Sequence, residues 1–571
     1  MSIPRPRVSR VTTLFALVTL ASGAPSLATT SPTTLDIQAA VSSRCSTENA
    51  ERTVNGTQQR CVRNANGVLR WKSTAGSASG VAKVLLVPRF GFGLGYMSGS
   101  IYLRAMRDGS AILSGRFAGT TTFGNITIRE NQPYWGNDPD HRDEIEDRYL
   151  ARISPEFDWR AAERFGGSGP TVFEPIGPIV QLSDGSAIVT GRWRGDITLG
   201  SKRMATRTPQ ADWYGLSSQA FFGRLMPDGS WAWADGIGGS GGSEIRSAVE
   251  TADGSILLSG WYRDSTNSVP DPDDEISKKH FLMIVAKDGS NRRVFSVPTT
   301  LSAPGFADNQ GASLDFQIAS SLADGSSLIV GSYCGTVTFG SLTLPSLSKS
   351  RGQKGDCGGF VARVRQDLSF EWVREVTQTE AVDSNVRKNS GISGATLTPN
   401  GDLIVIGWLR NGEWKFGNRV VKNPGRGNFV ARIDPQGTWR WVQRIPVQQF
   451  LDIFLDVQAT PDDGAVILGN IHQGSVALGK LRFTKGVGRD GFVAKVSSAG
   501  QWMWVSGTKT NTVKDNDVST RIDDVDVAPD GTVIVAGVIT GKVKFGTTTI
   551  PSPDWELTGF VARLSPDGVW K

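Results

Sequence analysis

The sequence predicts an all-β protein, and three observations indicate this class. Gly is abundant, at 67 of 571 residues, and Trp is frequent, at 17. Apolar runs are short and rich in β-branched residues, and long amphipathic helical periodicity is hard to find. Two short phrases recur along the chain, and each joins a turn signal to a strand signal. This mixture favours many strands connected by tight turns.

The first phrase is a turn followed by a strand. Asp-Gly or Asn-Gly suits a tight turn, because Gly accepts a positive φ and the Asp or Asn side chain caps the turn. An apolar run follows, and a second Gly ends it. The turn Gly recurs about every 70 residues, which is the spacing of a repeat protein. The copies are "DGSAILSG" from 108, "DGSAIVTG" from 184, "DGSILLSG" from 253, "DGSSLIVG" from 324, "NGDLIVIG" from 400, "DDGAVILG" from 462 and "DGTVIVAG" from 530.

The second phrase is a strand, a polar turn and another strand, as in "GNFVARIDPQGTWRW" from 427 and "GFVAKVSSAGQWMW" from 491. Its second strand carries two aromatic residues spaced by two, which places both rings on one face. We expect these rings to pack between neighbouring repeats. The pairs are Phe157/Trp159, Trp231/Trp233, Phe370/Trp372, Trp439/Trp441 and Trp502/Trp504.

Most repeats also hold a short strand that ends in Phe-Gly or Leu-Gly, and another apolar strand precedes each Asp-Gly turn. Each repeat therefore has four main strands, which we label a to d from the axis outward, with the Phe-Gly segment between b and c. Four antiparallel strands repeated seven times predict a seven-bladed β-propeller. The segments are "TTFG" from 121, "ITLG" from 197, "VTFG" from 337, "WKFG" from 414, "VALG" from 476 and "VKFG" from 543.

The last repeat stops just inside strand d, at Val569-Trp570-Lys571. Near the N-terminus, "NGVLRW" at 66–71 matches "QGTWRW" at 436–441. We expect residues 66–71 to complete the last blade, because this removes an exposed sheet edge. The alternative is that they are the remnant of an eighth repeat. The expected organisation is a leader at 1–28, an N-terminal segment at 29–65 and the propeller at 66–571.

The repeated phrases resemble those of the bacterial secreted β-propeller (SBBP-type) repeat proteins. The resemblance covers about residues 80–571 and rests on "GFVAK" followed by "G-x-W-x-W", and on "D-x-x-P-D-G" before an apolar run. It implies an exported propeller. It implies no particular activity, because fold alone does not define function.

The N-terminus has the pattern of a secretory signal peptide, cleaved after Ala28. Arg5, Arg7 and Arg10 precede a short apolar run at 11–24. That run is shorter than the roughly 20 residues of a membrane-spanning helix, and no other segment is long and apolar enough. We therefore expect a periplasmic or extracellular protein. The full chain carries +6, and removal of three Arg leaves +3, which argues against nucleic acid as a partner.

The four Cys fall into two local pairs, Cys45 with Cys61 and Cys334 with Cys357. In an oxidising compartment this pattern predicts two disulfides. The second pair lies between strand b and strand c of the fourth repeat. Because the end of b and the start of c lie at the same rim, a disulfide there would tie down the intervening loop.

The third repeat departs from the pattern. Asn291 and Arg293 stand where the aromatic pair is expected, and an acidic segment at 263–279 replaces the Phe-Gly strand. Calcium takes six to eight oxygen ligands, so the carboxylates there are calcium candidates, although no EF-hand spacing is present. The alternative is a solvated loop. The candidates are Asp271, Asp273, Asp274 and Glu275.

No catalytic constellation is evident. The three His (His141, His280 and His472) lie in different repeats. Gly238–Gly242 formally fits G-x-S-x-G, but it joins two blades and lacks the strand and helix that a nucleophile elbow needs. We predict no catalytic residue and no cofactor other than calcium.

We therefore predict a monomeric, exported, non-catalytic binding or scaffold protein, whose ligand is a protein or a polysaccharide. The alternative is a secreted carbohydrate-active enzyme with its site at the mouth of the propeller channel. Carboxylates and Arg that converge at one end of the channel would favour the enzyme. A featureless channel would favour the binding module.

Overall fold

The computed structural model describes residues 51–54, 57–63, 69–73, 83–87, 101–117, 120–129, 147–165, 177–193, 197–199, 202–204, 219–237, 242–263, 278–297, 299–302, 313–345, 357–380, 390–446, 456–511, 520–551 and 558–571. These residues contain strands and turns, and no helix was found among them. The chain divides into two compact units, residues 1–78 and 79–571. The signal peptide predicted at 1–28 lies outside the described residues.

The first unit contains a three-stranded antiparallel sheet of Glu51–Val54, Thr57–Arg63 and Leu69–Ser73. Trp71 pairs with Cys61, so residues 69–71 of the expected closing segment belong to this sheet and not to the last blade. Cys61 is buried and disulfide-bonded, whereas Cys45 lies outside the described residues.

The second unit is a seven-bladed β-propeller, as the repeats predict. Each blade is a four-stranded antiparallel sheet in the order a-b-c-d. The a strands are Tyr102–Ala105, Ile179–Gln181, Ser243–Glu250, Ser313–Ser321, Ser390–Leu397, Asp456–Ala459 and Thr520–Val527. The b strands are Ala111–Phe117, Ala187–Trp193, Ile256–Tyr262, Ser327–Cys334, Leu403–Leu409, Ala465–Ile471 and Val533–Ile539. The c strands are Asp147–Ile153, Gln219–Leu225, Lys279–Val285, Cys357–Val364, Gly427–Ile433, Asp490–Val496 and Thr558–Leu564. The d strands are Trp159–Phe165, Trp231–Ile237, Arg293–Ser296, Phe370–Glu380, Trp439–Pro446, Trp502–Thr510 and, in blade 7, Leu85–Val87.

An outer hairpin follows strand b in six blades, and none was found among the described residues of blade 3. Strand d of blade 4 pairs with the outer hairpin of blade 5, and strand d of blade 6 pairs with the outer hairpin of blade 7. Thr299–Ser302, which follows strand d of blade 3, pairs with the hairpin of blade 4. The hairpins are Thr120–Phe123/Ile126–Arg129, Ile197–Leu199/Lys202–Met204, Thr336–Phe339/Leu342–Leu344, Gly412–Phe416/Arg419–Asn423, Ser475–Leu478/Leu481–Thr484 and Lys542–Phe545/Thr548–Pro551.

The ring is closed by an N-terminal strand, but the segment expected from the sequence was wrong. Leu85–Val87 pairs with strand c of blade 7, opposite Gly559–Val561. Strand d of this blade is split, because Trp570 bridges to Leu564 and the amide of Lys83 donates to the carbonyl of Lys571 at 2.9 Å. The match between 66–71 and an aromatic strand d did not identify the closing segment, because an edge strand is selected by backbone pairing and burial.

The a–b turns match the expected chemistry. Gly109 has a φ of 82°, and the Asp108 carboxylate accepts hydrogen bonds from the amide and hydroxyl of Ser110. Blade 6 differs, because Asp463 takes the positive φ of 68° and the predicted turn residue Gly464 follows it.

The first aromatic residue of strand d packs on the Phe of the outer hairpin. Trp439 meets Phe416 edge-on at 5.1 Å between ring centroids, and Trp570 meets Phe545 in the same way at 5.2 Å. Edge-to-face pairs of this kind are worth about 0.5–1.5 kcal/mol beyond the buried area. In the four hairpins that carry Phe, the Phe-Gly pattern thus reflects one ring contact that holds the hairpin against its blade.

The second residue of the d pair reaches the c–d turn of the next blade. The indole N–H groups of Trp233, Trp441 and Trp504 donate to the turn carbonyls of Lys287, Ser498 and Pro566. These contacts confirm the predicted packing between blades. In blade 1 the predicted pair was wrong by two residues.

Trp159 is the first member of the blade 1 pair, because it lies opposite Ile153 on strand c. Ala161, opposite Arg152, is the second. Phe157 occupies the positive-φ position of the c–d turn, at 67°. The sequence spacing alone did not distinguish a turn aromatic from a strand aromatic.

The Cys334–Cys357 disulfide is present. The two residues are directly opposite each other at the end of strand b and the start of strand c in blade 4. It closes the b–c connection of this blade, as the sequence predicts.

Candidate channel-mouth site

The seven a strands surround the propeller axis. Each contacts the a strand of the next blade, and the seventh contacts the first. Side chains that leave these strands on the axial side therefore meet in one channel. None of the candidate site residues predicted from the sequence was assigned to this channel wall.

A β-bulge lies at one shared position of strand a in blades 3, 5 and 7, and blade 4 has a bulge at a different position of its strand a. In blade 3 the register shifts between Ile245 and Ser247, which leaves Arg246 unpaired with strand b. A bulge re-aims one side chain of a strand in this way. The Gly that ends the b phrase permits the bulge, because a Cβ on Gly260 would lie 2.0 Å from the carbonyl oxygen of Glu244. Ser393 and Asp523 occupy the same place in blades 5 and 7.

A chain of ion pairs crosses the mouth from blade 2 to blade 4. Arg192 lies 3.6 Å from Glu244, and Arg246 lies 2.9 Å from the other oxygen of Glu244. Arg246 also lies 3.3 Å from Asp315. Exposure rises along the chain, from 17% for the side chain of Arg192 to 59% for that of Asp315. The cluster carries two positive and two negative charges, so it is polar but neutral.

These residues line a cavity of about 460 Å³, at the end of the channel where strands a begin and strands b end. That volume is within the usual range for small-molecule sites, about 300–1,000 Å³. Tyr102 and Trp408 add aromatic surface to the wall, and Gln317, Ser332 and Ser393 add further hydrogen-bonding groups.

The other side of the channel is acidic. Burial raises the pKa of Asp524 well above its usual value, and the negative charge of Asp456 raises it further. Burial also raises the pKa of Asp456, while its hydrogen bond with Asp524 acts in the opposite direction. Two buried carboxyl groups coupled in this way do not both ionise freely.

Asp523, the bulged residue of blade 7, has a pKa raised to about 6, chiefly by burial, although the adjacent Arg521 lowers it. Tyr102 links the two sides of the channel electrostatically. Its pKa is raised by burial first and then by the charge of Asp524, and smaller effects come from Asp523 and Glu244.

The carboxyl groups on the acidic side also accept hydrogen bonds from the neighbouring blade. Carboxylate oxygens of Asp523, Asp524 and Asp526 accept hydrogen bonds from backbone amides on strand a of blade 1. The acceptor-to-donor distances are 3.2, 2.7 and 2.9 Å, to Ile101, Leu103 and Ala105 respectively. They satisfy the inner edge of blade 1, whose amides have no strand partner.

Most of the metal and catalytic candidates considered in the sequence lie outside the part of the chain that the structure describes. Among the described ranges no group of three or more metal-ligating side chains was found. His280 is buried, and burial lowers its pKa to about 4. The calcium candidates Asp271, Asp273, Asp274 and Glu275 lie outside the described residues, as do His141 and Gly238–Ser240.

A sequence signal for the channel exists in retrospect. Strand a precedes each Asp-Gly turn, and charged residues interrupt it in "SEIRSAVE" at 243–250 and "RIDDVDVAP" at 521–529. Charges inside an otherwise buried strand indicate an axial or functional position. The sequence could not show which of them meet.

Comparisons with known proteins identify no relative. No protein-family model and no curated protein matches the chain. Solved structures match at low identity: a polysaccharide lyase of the ulvan lyase type, PL25 (9% identity, TM-score 0.38, 77% of this chain and 92% of that one), a catalytically inactive virginiamycin B lyase from Staphylococcus aureus (8%, 0.33, 84% and 98%), and puromycin hydrolase (14%, 0.28, 80% and 60%). Likeness at this level carries no argument about activity, and membership of the SBBP-type repeat family stays a prediction. No helix in the described residues has the length and apolarity of a membrane span.

Proposed function

We propose that the protein is an exported binding module that holds a neutral, polyhydroxylated ligand, such as a polysaccharide segment, at the mouth of its channel. The observation that carries the proposal is the cavity lined by Arg192, Glu244, Arg246 and Asp315. Their charges are already paired, so the mouth offers many hydrogen bonds without a net field to attract an ion. Hydroxyl groups both donate and accept, which suits a wall that presents guanidinium and carboxylate groups together.

Export rests on the predicted signal peptide and is supported by the Cys334–Cys357 disulfide, because disulfides persist in oxidising compartments. Recovery of the native protein from a periplasmic or culture fraction with Thr29 as its first residue would test this part.

The binding test compares neutral polysaccharides (dextran, laminarin) with anionic ones (alginate, polygalacturonate) by isothermal titration calorimetry. We expect saturable binding of a neutral polymer and at least about tenfold weaker binding by Arg246→Met, which breaks the ion-pair chain. The control is Arg440→Met, which removes an Arg paired with Asp434 at 2.9 Å on an outer strand. Absence of binding to every polymer, or equal affinity of Arg246→Met and wild type, would contradict the proposal.

A second candidate function is supported by the coupled carboxyl pair Asp456 and Asp524. Burial and the negative charge of Asp456 raise the pKa of Asp524 well above its usual value, and two carboxyl groups with unequal pKa values suit general acid and base chemistry. The channel is not featureless, and this pair is the specific reason to keep the enzyme alternative.

The enzyme candidate predicts that purified protein releases reducing ends from a polysaccharide, and that Asp524→Asn abolishes release while leaving thermal unfolding cooperative. The control is Asp367→Asn, since Asp367 caps an exposed turn through Ser369. If the wild type binds a polysaccharide but releases no reducing ends from it, Asp456 and Asp524 have a structural role only.

A further inference from the structure

Six of the seven blade interfaces share one contact. A cation or an indole on one blade reaches a backbone carbonyl in the c–d turn of the next. At the interface between blades 2 and 3, the Lys287 carbonyl accepts from Arg224 at 3.1 Å and from Trp233 at 3.0 Å. Between blades 5 and 6, the Ser498 carbonyl accepts from Arg432 at 3.1 Å and from Trp441 at 2.8 Å.

The other four use at least one of the two groups. Arg363 donates to Pro435 between blades 4 and 5, and Trp504 donates to Pro566 between blades 6 and 7. Arg152 donates to Met226 between blades 1 and 2, and Arg563 donates to Pro155 between blades 7 and 1.

At the interface between blades 3 and 4, no such hydrogen bond was found among the described residues. In blade 2, Arg224 on strand c lies opposite Trp233 on strand d. In blade 3 the same positions hold Ile284 and Arg293, which also lie opposite each other. Arg293 was identified from the sequence as a departure of the third repeat, but Ile284 was not.

The receiving turn of blade 4 is nevertheless intact. The amide of Leu368 donates to Arg365 at 2.9 Å, as the amide of Gly289 does to Ala286 at the same distance. Leu368 also has the positive φ of this position, at 67°. The carbonyl of Gln366 is therefore presented to blade 3 as that of Lys287 is to blade 2. Among the described residues, no N–H group donates to it.

A cleft of about 350 Å³ lies at this interface, at the turn end of the blades. Leu257, Ile284 and Leu368 contribute apolar side chains to its lining, and Arg293, Arg365 and Gln366 contribute polar ones. A cavity of about 150 Å³ already accommodates a benzene ring, so a two-ring ligand fits by volume. The adjacent guanidinium groups suit the face of an aromatic ring.

We propose that this cleft binds a planar aromatic ligand with an N–H donor, of the indole class. The ring would lie on Leu257 and Ile284, and its N–H would donate to the carbonyl of Gln366. The ligand would make the hydrogen bond that the indoles of Trp233, Trp441 and Trp504 make at three other interfaces. This site is separate from the channel mouth and does not depend on the function proposed for it.

The test is calorimetric titration of the full chain with indole and with 1-methylindole, which has the same ring system but no N–H donor. We expect saturable binding of one indole per chain and at least about tenfold weaker binding of 1-methylindole. Titration with N-acetyltryptophanamide identifies the source of the ring: binding of both probes indicates a tryptophan side chain, and binding of indole alone indicates a small molecule.

Ile284→Arg gives the variant test. By analogy with Arg224, the new guanidinium would reach the carbonyl of Gln366, so we expect loss of indole binding. The matched control is Val294→Arg, which adds the same group to an exposed residue (47%) on the opposite face of strand d. Absence of saturable indole binding to wild type, equal affinity for 1-methylindole, or full retention of binding by a folded Ile284→Arg variant would each overturn the proposal.

Discussion

At the residue scale, the repeated Gly of the c–d turn leaves room for the Trp ring of the preceding blade. Gly568 has a φ of 79°, and a Cβ there would lie 2.5 Å from the ring of Trp504. Gly is required at that position for two reasons, the backbone conformation and the close approach of the ring. In the c–d turn of blade 2 only the first reason applies, because nothing lies within 4 Å of a Cβ on Gly229.

We therefore expect Gly568→Ala to lower the free energy of unfolding by about 1–3 kcal/mol more than Gly229→Ala does. Both variants carry the cost of a positive φ, so their difference isolates the contact with Trp504. Urea denaturation of the two variants and the wild type measures it. Equal costs would show that the indole moves aside without loss.

At the element scale, each a strand has an inner edge whose amides need acceptors. Blade 3 supplies the Ser247 hydroxyl to the amide of Ile318, and blade 5 supplies the Thr396 hydroxyl to that of Ala459. Between blades 7 and 1 three carboxyl groups do this instead. Burial raises the pKa of Asp523 and of Asp524, which ties the stability of that interface to pH.

The pKa of Asp523 is raised to about 6 in the folded protein, against about 3.9 in an unfolded chain. The folded state thus binds the proton more tightly, and its contribution to stability is complete below about pH 4 and lost as the pH rises through 6. We expect the difference in unfolding free energy between wild type and Asp523→Asn to change by up to about 3 kcal/mol between pH 4 and 7, to the disadvantage of wild type. Denaturant unfolding at several pH values measures this. A pH-independent difference would contradict the role of Asp523.

At the scale of the whole molecule, the propeller is closed by a strand made from two distant parts of the chain. Trp570 is buried in the core of the last blade, and Lys83 follows Lys571 in space as the next residue of the same strand. Lys83 also forms a 2.7 Å ion pair with Asp158 of blade 1. The closing interface depends on pairing that no peptide bond enforces.

A circular permutant that joins Lys571 to Lys83, with new ends within 381–389, should fold and unfold at a higher temperature than linear 83–571. The covalent link removes the entropic cost of bringing the two halves of the split strand together. Thermal denaturation followed by circular dichroism compares the two chains. A permutant that fails to fold, or that unfolds at a lower temperature, would mean that the ends are not arranged as the hydrogen bond between Lys83 and Lys571 indicates.

The number of blades, their antiparallel strands and the Cys334–Cys357 link could all be predicted from the amino-acid order. These features follow from patterns within one repeat: a turn Gly such as Gly109, a Phe before a hairpin Gly, and an aromatic residue that packs on that Phe. Patterns of this kind can be recognised within one repeat, and their recurrence along the chain supports the predicted strands and turns.

Only the tertiary structure decided which segment closes the ring, which charges meet in the channel and where the third repeat leaves a cleft. Leu85–Val87 has no aromatic signature, and Glu244 and Asp315 come from different blades. The cleft arises because Ile284 and Arg293 face a turn in the next repeat. Contacts between repeats depend on which side chains the ring brings together, and the linear order of residues does not show this.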